Sequence, residues 1–182
     1  MSYSGNGVSQ NCKEAFQWYL KSAEQGYPQA QIKLWEMFEK GIGVKMQKKE
    51  AARWYLIAAE RDIAEVQTNL ALMFQKGWGM PEDKKKAYDW SLKTALQGNL
   101  RAQTNLGIMY QYGCGTESNF KEAVKWYRKA AEAGFVEAQV KLALMYENGY
   151  GVFKNRKEAN QWYQQGHPLE KNETIPDNLI LC

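Results

Sequence analysis

The chain has 182 residues, of which 45% are hydrophobic and 24% are charged, a balance typical of a folded domain rather than a disordered one. Its formal net charge of +4 is too small to indicate a nucleic acid partner and only favours acidic partners. No run of about 18 apolar residues is present, so no transmembrane helix is predicted. The first residues lack the charged and apolar regions of a signal peptide.

The sequence contains three cysteines, Cys12, Cys114 and Cys182. Their spacings match no zinc-binding or redox motif, and an odd number argues against a disulfide-stapled secreted domain. We therefore expect reduced thiols and a cytoplasmic protein. A periplasmic or secreted location is the alternative if a signal peptide had been removed.

Tryptophan recurs at a step of 36 residues through the sequence. The five in-phase tryptophans are Trp18, Trp54, Trp90, Trp126 and Trp162. Alanine, leucine, glutamine and methionine recur at the same step, and the units close with a Gly-x-Gly sequence. Because a buried tryptophan contributes up to about 5 kcal/mol, we predict that these five residues form the core of the repeats.

In chain order, this period divides the sequence into a partial preceding repeat, four full repeats, a capping helix and a tail. The predicted bounds are 1–10, 11–46, 47–82, 83–118, 119–154, 155–166 and 167–182. Each full repeat is predicted to contain two antiparallel helices. The first helix begins after a cap residue such as Asn11, Asn119 or Asn155, and the second ends at the Gly-x-Gly sequence. Such a pair cannot bury all its apolar faces alone, so stacked repeats must share a core.

These columns follow the pattern A-x-x-W-Y-x-x-A-A-x-x-G…A-x-x-x-L-G-x-x-Y-x-x-G-x-G-V over roughly residues 5–166. The pattern resembles the Sel-like (SEL-one-like) repeat, a relative of the tetratricopeptide repeat. The resemblance implies an all-α fold: a right-handed α/α superhelix, or solenoid, of helix-turn-helix repeats, with about four full repeats plus partial terminal units. Known members are adaptors and scaffolds. They include host-interaction proteins, signalling regulators and immunity partners of secreted toxins.

A ladder of side chains on the first helices is the first candidate for partner binding. The positions two residues before and two residues after each tryptophan share one helix face, and the resemblance places first helices on a concave surface. The ladder consists of Phe16, Leu20, Ala52, Leu56, Tyr88, Leu92, Val124, Arg128, Asn160 and Gln164. An apolar groove for a partner segment and ordinary packing between neighbouring first helices both fit this pattern.

Three further features complete the candidate site. Arg53 and Lys125 flank the ladder, where they would attract an acidic partner or simply form a solvated face. Trp78 lies between two turn glycines and is either an interaction anchor or packed on the next repeat. Trp35 occupies a column that elsewhere holds glycine or alanine, so it must open the packing or project from it. The predicted partner-binding residues are Phe16, Leu20, Arg53, Leu56, Trp78, Tyr88, Leu92, Lys125 and Arg128.

The sequence offers no arrangement of catalytic groups. His167 is the only histidine and lies past the last predicted helix. No nucleophile–base pair, phosphate-binding loop or metal-ligand cluster accompanies it. We therefore predict that the chain is not an enzyme and needs neither cofactor nor metal.

We predict an adaptor or scaffold that binds a helix or an extended peptide of another protein, with an acidic segment favoured by charge. The alternative is a stoichiometric inhibitor or immunity protein that neutralises a cognate bacterial toxin or effector. Nucleic acid is not expected, because solvation explains the lysine-rich helix starts. The sequence leaves the oligomeric state open, although a truncated first repeat would leave an uncovered end that could pair with another chain.

Overall fold

Helices separated by short turns make up the described part of the chain. The computed structural model describes residues 6–61 and 63–166. The helices are α1 (Asn6–Glu24), α2 (Pro28–Lys40), α3 (Lys48–Ala59), α4 (Ala64–Lys76), α5 (Lys84–Leu96), α6 (Leu100–Tyr112), α7 (Phe120–Glu132), α8 (Val136–Asn148) and α9 (Arg156–Gly166). In the repeats as predicted above, the odd-numbered helices are the first helices and the even-numbered ones are the second helices. No strand occurs among these residues, and the predicted all-α repeat fold is confirmed.

The helices fall into two compact units that divide after Asp83. The first unit contains α1 to α4, and the second contains α5 to α9. The bounds proposed above for individual repeats stay a prediction. The predicted tail, residues 167–182, lies outside the described residues together with His167.

A buried glutamine of each second helix binds the end of the first helix of the same repeat. The last carbonyls of an α-helix have no partner within the helix and need donors from elsewhere. Each glutamine Nε2 donates to the alanine carbonyl eight residues earlier in the chain, over 2.9–3.2 Å. The pairs are Gln31 with Ala23, Gln67 with Ala59, Gln103 with Ala95 and Gln139 with Ala131. This bond holds the two helices of a repeat together.

The Gly-x-Gly sequences end the second helices and turn the chain back. Gly149 follows α8 with a φ of 78°, a left-handed conformation that favours glycine. Gly151 has a φ of 70° and lies against the start of α7, where a Cβ atom would collide with the Phe120 carbonyl. The second glycine is therefore required by its backbone angle and also by close contact with the first helix of the repeat.

The predicted caps of the first helices are correct at α7 and α9 but wrong at α1. The Oδ1 atom of Asn119 accepts hydrogen bonds from two backbone N–H groups of α7 at 3.1 Å, and Asn155 caps α9 in the same way. Helix α1 instead begins at Asn6 and continues through Asn11. Elsewhere the turn glycines are held against the first helix of a repeat, whereas no described helix precedes Gly7.

The in-phase tryptophans differ widely in burial. Trp126 is 8% exposed and packs against the preceding second helix, α6. Trp54, Trp90 and Trp162 are half-buried, whereas Trp18 on α1 is 72% exposed. The prediction that all five form the core is therefore wrong for Trp18. This side of a first helix is covered by the helix before it, and no described helix precedes α1.

The tyrosine that follows the in-phase tryptophan on α7 and α9 contacts the preceding second helix. The ring of Tyr127 lies against Gly107 of α6, and its hydroxyl donates to Gln111 Oε1 at 2.8 Å. On α9, the Tyr163 hydroxyl donates to Glu147 Oε2 of α8 at 2.9 Å. The Trp–Tyr pair of these first helices thus packs on the second helix of the preceding repeat.

Trp35 occupies the position on α2 that Gly107 occupies on α6. Its ring centroid lies 4.7 Å from that of Tyr55 on α3, with an interplanar angle of 52°. The large ring is accommodated because it packs on the tyrosine of the next first helix.

Cys114, in the turn after α6, is 2% exposed and disulfide-bonded, whereas Cys12 is a free thiol. The expectation that all thiols are reduced is therefore wrong at Cys114. Cysteine usage consequently no longer favours a cytoplasmic location over an oxidising one.

Candidate protein-binding site

In the first unit, the predicted ladder is largely buried. Phe16 and Ala52 are 8% and 3% exposed, and the Phe16 ring packs edge-on against Phe38 at 5.2 Å between centroids. Leu20 and Leu56 are half-buried, and Leu20 packs on the same core cluster as Phe16. These positions contribute to packing within the unit, and their role in partner binding stays a prediction.

In the second unit, the ladder keeps a buried valine, Val124, but also carries a polar aromatic residue, Tyr88. The hydroxyls of Tyr88 on α5 and Tyr110 on α6 form a hydrogen bond of 2.7 Å, and their rings meet edge to face with centroids 5.7 Å apart. The Lys85 ammonium lies 4.7 Å from the Tyr88 ring centroid and 3.1 Å from the Asp89 carboxylate. Both tyrosines are half-buried, so each keeps part of its surface available.

Arg128 on α7 is oriented by Tyr146 on α8. Its guanidinium donates to the Tyr146 hydroxyl and lies 5.6 Å from the ring centroid. Within the part of the chain that the structure describes, no carboxylate forms an ion pair with Arg128. A neutral partner therefore fixes this half-buried cation and leaves its charge uncompensated.

Tyr88, Tyr110, Arg128 and Tyr146 form a surface that we call the tyrosine–arginine strip. Tyr110 packs against the core cluster of α5 and α6 and also against that of α7 and α8, so it connects the two repeats. Tyr146 packs on the second of these clusters. Tyrosine and arginine are among the residues that contribute most to binding energy in protein interfaces, because they combine large contact area with directional hydrogen bonds.

The Tyr110 hydroxyl stays protonated at neutral pH. Burial, followed by the hydrogen bond to Tyr88, raises the pKa of Tyr110 to about 12. The Tyr110 hydroxyl is therefore neutral and able both to donate and to accept hydrogen bonds. Arg128 is the one charged residue of the strip.

The solvent-facing side of α7 adds positive charge next to Arg128. The cations of this helix are Lys121, Lys125, Arg128 and Lys129, and its anions are Glu122 and Glu132. Lys125, a predicted site residue, is exposed and pairs with Glu122 at 2.6 Å. The Lys129 ammonium lies 4.3 Å from the Trp126 ring centroid. Neither Lys121 nor Lys129 has an ion-pair partner among the described residues.

The remaining predicted residues occupy other places. Leu92 is half-buried and packs on the core cluster of α5 and α6. In the first unit, Arg53 is exposed and lies 3.6 Å from the Glu50 carboxylate, and Trp78 is 59% exposed. Because Arg53 and Trp78 belong to the first unit, their part in partner binding stays a separate prediction.

Sequence reasoning missed Tyr110 and Tyr146 as site residues. They share one repeat position on the second helices, which holds Phe38 and Phe74 in the first two repeats. The hydroxyl that appears at this position in the last two repeats was the available signal, because a hydroxyl in an apolar column needs a polar partner.

The chemistry of the strip suits recognition. It offers neutral phenols and a guanidinium, which bind carboxylates and peptide groups. Among residues 6–61 and 63–166, no group of three or more His, Cys, Asp or Glu side chains is arranged to hold a metal ion. In the same residues, no helix has the length and apolar character needed to cross a bilayer.

The Sel1 repeat pattern matches residues 1–27, 28–63, 64–99, 100–135 and 136–166. The chain is 35% identical to a Sel1 repeat protein from Oxalobacter formigenes, with a TM-score of 0.80 over 85% of this chain and 63% of that one. It is 36% identical to c5321, a protective antigen of uropathogenic Escherichia coli strains that displays an SLR fold, with a TM-score of 0.78 over 85% of this chain and 33% of that one. The chain thus spans less than two thirds of either structure.

The immunity protein Pa5087 from Pseudomonas aeruginosa is 21% identical, with a TM-score of 0.50 over 91% of this chain and 66% of that one, and shares the fold alone. None of the curated proteins matches the chain. Sel1 repeat proteins generally mediate protein–protein interactions, and their fold is a typical non-catalytic scaffold. Because the repeat pattern matches five consecutive segments over residues 1–166, the chain belongs to the Sel1 repeat family.

Proposed function

We propose that the chain is a protein-interaction module whose tyrosine–arginine strip binds an acidic segment of another protein, either helical or extended. The observation that carries this proposal is the state of Arg128. Its guanidinium is fixed by Tyr146 and forms no ion pair with any described residue. A half-buried cation in this state gains most from a carboxylate that a partner brings to it.

The distribution of charge in the second unit supports an acidic partner. The first helices α5, α7 and α9 carry ten cations and four anions, whereas the second helices α6 and α8 carry two of each. Positive charge therefore concentrates on the helices that contribute Tyr88 and Arg128. Such a surface speeds the encounter with an acidic segment and selects against a basic one.

Preorganisation lowers the cost of binding at the strip. Arg128 is already held by Tyr146, and Tyr88 is already held by Tyr110, so little rotamer freedom remains to be lost. A guanidinium has five N–H donors, so the bond to Tyr146 leaves donors for a partner carboxylate. The phenol pair supplies hydrogen bonds for the backbone of the same segment.

Adaptor and inhibitor roles share this binding step and differ in its consequence. The likeness to the immunity protein Pa5087 concerns the fold alone. Inhibition of a toxin is therefore an outcome to be tested once a partner is known, whereas acidic-segment binding is the proposed function.

The proposal is tested by selecting peptides from a random phage-displayed library on the full chain. We expect enrichment of acidic peptides, and at least a tenfold loss of their affinity on Arg128→Gln, which corresponds to about 1.4 kcal/mol. The matched control is Arg101→Gln, which removes an exposed cation from the second helix α6. A thermal melt establishes that both variants stay folded. The proposal would be contradicted if the selected peptides contained no more aspartate and glutamate than the starting library. It would also be contradicted if the two variants bound the selected peptides equally well.

A further inference from the structure

Three aromatic side chains are exposed where the turn between α8 and α9 meets the start of α7. Phe153 is 96% exposed, and Tyr150 and Phe120 are 47% and 39% exposed. The rings of Phe120 and Tyr150 stack with centroids 5.1 Å apart and an interplanar angle of 22°. Gly151 lies against the Phe120 carbonyl, so both segments belong to one edge of the second unit. We call Phe120, Tyr150 and Phe153 the aromatic edge.

Phe153 is exposed because of its position in the repeat, and not because few helices follow it. The same position holds Lys45 and Glu117, which are exposed although a further first helix, α3 or α7, follows each of them in the same unit. The position of Phe120 holds Lys48, Lys84 and Arg156 in other repeats. Aromatic rings thus occupy two exposed positions where the chain elsewhere places mostly charged residues.

The turn holds Phe153 in a fixed place. On one side, Val152 packs on the core cluster of α7 and α8. On the other side, the Asn155 N–H group donates to the Tyr146 carbonyl at 2.9 Å, and the Asn155 side chain caps α9. Because the backbone is anchored on both sides of Phe153, insertion of this ring into a partner costs little conformational entropy.

Cations accompany the aromatic edge. Lys154, Arg156 and Lys157 are exposed and form no ion pair with any described residue. Lys121, at the start of α7, is in the same state. Arg156 and Lys157 lie in the first turn of α9, where positive charge opposes the helix dipole. Helix stability therefore does not explain them, and they are available to an anionic partner.

We propose that the aromatic edge binds the surface of a bilayer that contains anionic phospholipids. The Phe153 ring inserts at the boundary between headgroups and acyl chains, as apolar side chains of interfacial segments do. Lys121, Lys154, Arg156 and Lys157 attract the lipid phosphates. A single inserted group gives only weak attachment to a membrane, so the apolar ring and the cations beside it act together.

A bilayer suits this edge better than a peptide or a nucleic acid. A binding pocket covers most of its ligand, whereas a ring that is 96% exposed has no neighbouring side chains to form the walls of a pocket. Bases of single-stranded nucleic acids stack on open ring faces. Phe120 and Tyr150 instead stack on each other, so each has one face already covered.

Cosedimentation of the full chain with vesicles made of equal parts of phosphatidylcholine and phosphatidylglycerol tests the proposal. We expect saturable binding that weakens at least tenfold on Phe153→Ser, because the variant loses burial of an aromatic ring. The matched control is Trp78→Ser, which alters a 59% exposed aromatic residue of another turn and should leave binding unchanged. Thermal melts establish that the variants stay folded.

The contribution of charge is tested with the same vesicles. Arg156→Gln combined with Lys157→Gln should weaken binding at least tenfold. Arg101→Gln combined with Lys141→Gln removes the same charge from α6 and α8 and should retain the natural affinity. Vesicles of phosphatidylcholine alone should bind the natural chain at least tenfold more weakly.

Four results would overturn the proposal. They are no binding to the anionic vesicles, equal binding to vesicles of phosphatidylcholine alone, equal binding by the chain and its Phe153→Ser variant, and Phe153-dependent binding of a single-stranded oligonucleotide in place of vesicles. The last result would identify a nucleic acid as the occupant. Arg128→Gln should leave vesicle binding unchanged, so failure here and failure of acidic-peptide binding at the strip are independent results.

Discussion

The ring of Tyr127 lies so close to Gly107 that a Cβ atom on residue 107 would be 2.5 Å from the ring. Glycine here is therefore a requirement of packing between α6 and α7. We predict that Gly107→Ala lowers the free energy of unfolding by about 1–3 kcal/mol through overpacking. This loss would occur although alanine gains up to about 1 kcal/mol in helix propensity over glycine.

Urea unfolding of Gly107→Ala, Tyr127→Leu and the double variant measures the coupling between these two residues. Removing the ring should relieve the collision, so alanine should cost less, or even stabilise, in the Tyr127→Leu background. An equal loss in both backgrounds would show that the two residues do not interact in this way.

The two glycines that follow α8 should differ in their tolerance of alanine. Gly149 needs a left-handed backbone, and a Cβ atom there would lie 3.3 Å from Lys154 Cβ, a tight contact that a small shift of Lys154 relieves. Gly149→Ala should therefore cost about 1–2 kcal/mol. Gly151→Ala adds the collision with the Phe120 carbonyl and should cost roughly 3 kcal/mol or more. Thermal melts of the two single variants compare them directly, and equal losses would contradict the contact at Gly151.

Gln139 joins α8 to the end of α7 with its amide nitrogen, while its Oε1 has no partner among the described residues. Gln139→Met loses one hydrogen bond but also removes a buried acceptor without a partner. The expected change in unfolding free energy is within about 1 kcal/mol. Gln139→Glu should instead be strongly destabilising, because it brings a buried carboxylate next to the Ala131 carbonyl.

The loss of stability in Gln139→Glu should depend on pH. Burial would raise the pKa of this carboxyl above the unfolded value of about 4.3. The destabilisation is therefore full above the folded pKa and disappears as pH falls towards the unfolded one. Urea unfolding at pH 8 and pH 5 should show the gap between Gln139→Glu and the natural chain narrowing at the lower pH. A gap independent of pH would mean that the new carboxyl is not buried.

Tyr110 should cause a loss of stability at alkaline pH. Its pKa is raised to about 12, whereas an unfolded tyrosine titrates near about 10. The stabilisation is thus fully present below the unfolded pKa and is lost as pH rises towards the folded one. Because the hydrogen bond to Tyr88 is one cause of the shift, Tyr88→Phe should lower the pKa of Tyr110. Nuclear magnetic resonance of ring-labelled tyrosine measures both titrations, and an unchanged pKa in the variant would refute the role of this hydrogen bond.

Sequence periodicity predicted which face of a first helix is apolar, but not what covers it. The pattern around Trp126 and around Trp18 is the same, yet one residue is buried and the other exposed, because the covering helix belongs to the preceding repeat. Asn119 and Asn155 were correctly predicted as caps, since a cap depends on residues only a few positions away. The prediction failed at Asn11, because α1 begins at Asn6 and continues through the predicted cap.

The candidate site was predictable in part. Tyr88 and Arg128 were identified from their spacing around the tryptophans, which fixes their helix face. Their partners Tyr110 and Tyr146 lie on second helices, and within one helix their pattern reads as ordinary apolar packing. Pairing of hydroxyls between two helices depends on how those helices dock, which spacing within either helix does not specify.

The bond from each glutamine to an alanine carbonyl eight residues earlier has a consequence for how the array folds and changes in length. These contacts are local in sequence, so each hairpin forms with little loop-closure cost, and a low contact order favours rapid folding. Each pair of helices is also joined by its own hydrogen bond from a glutamine to an alanine carbonyl. A duplication or deletion of one 36-residue unit would leave every remaining glutamine beside its own carbonyl. The number of hairpins can therefore change without redesign of the helices that remain.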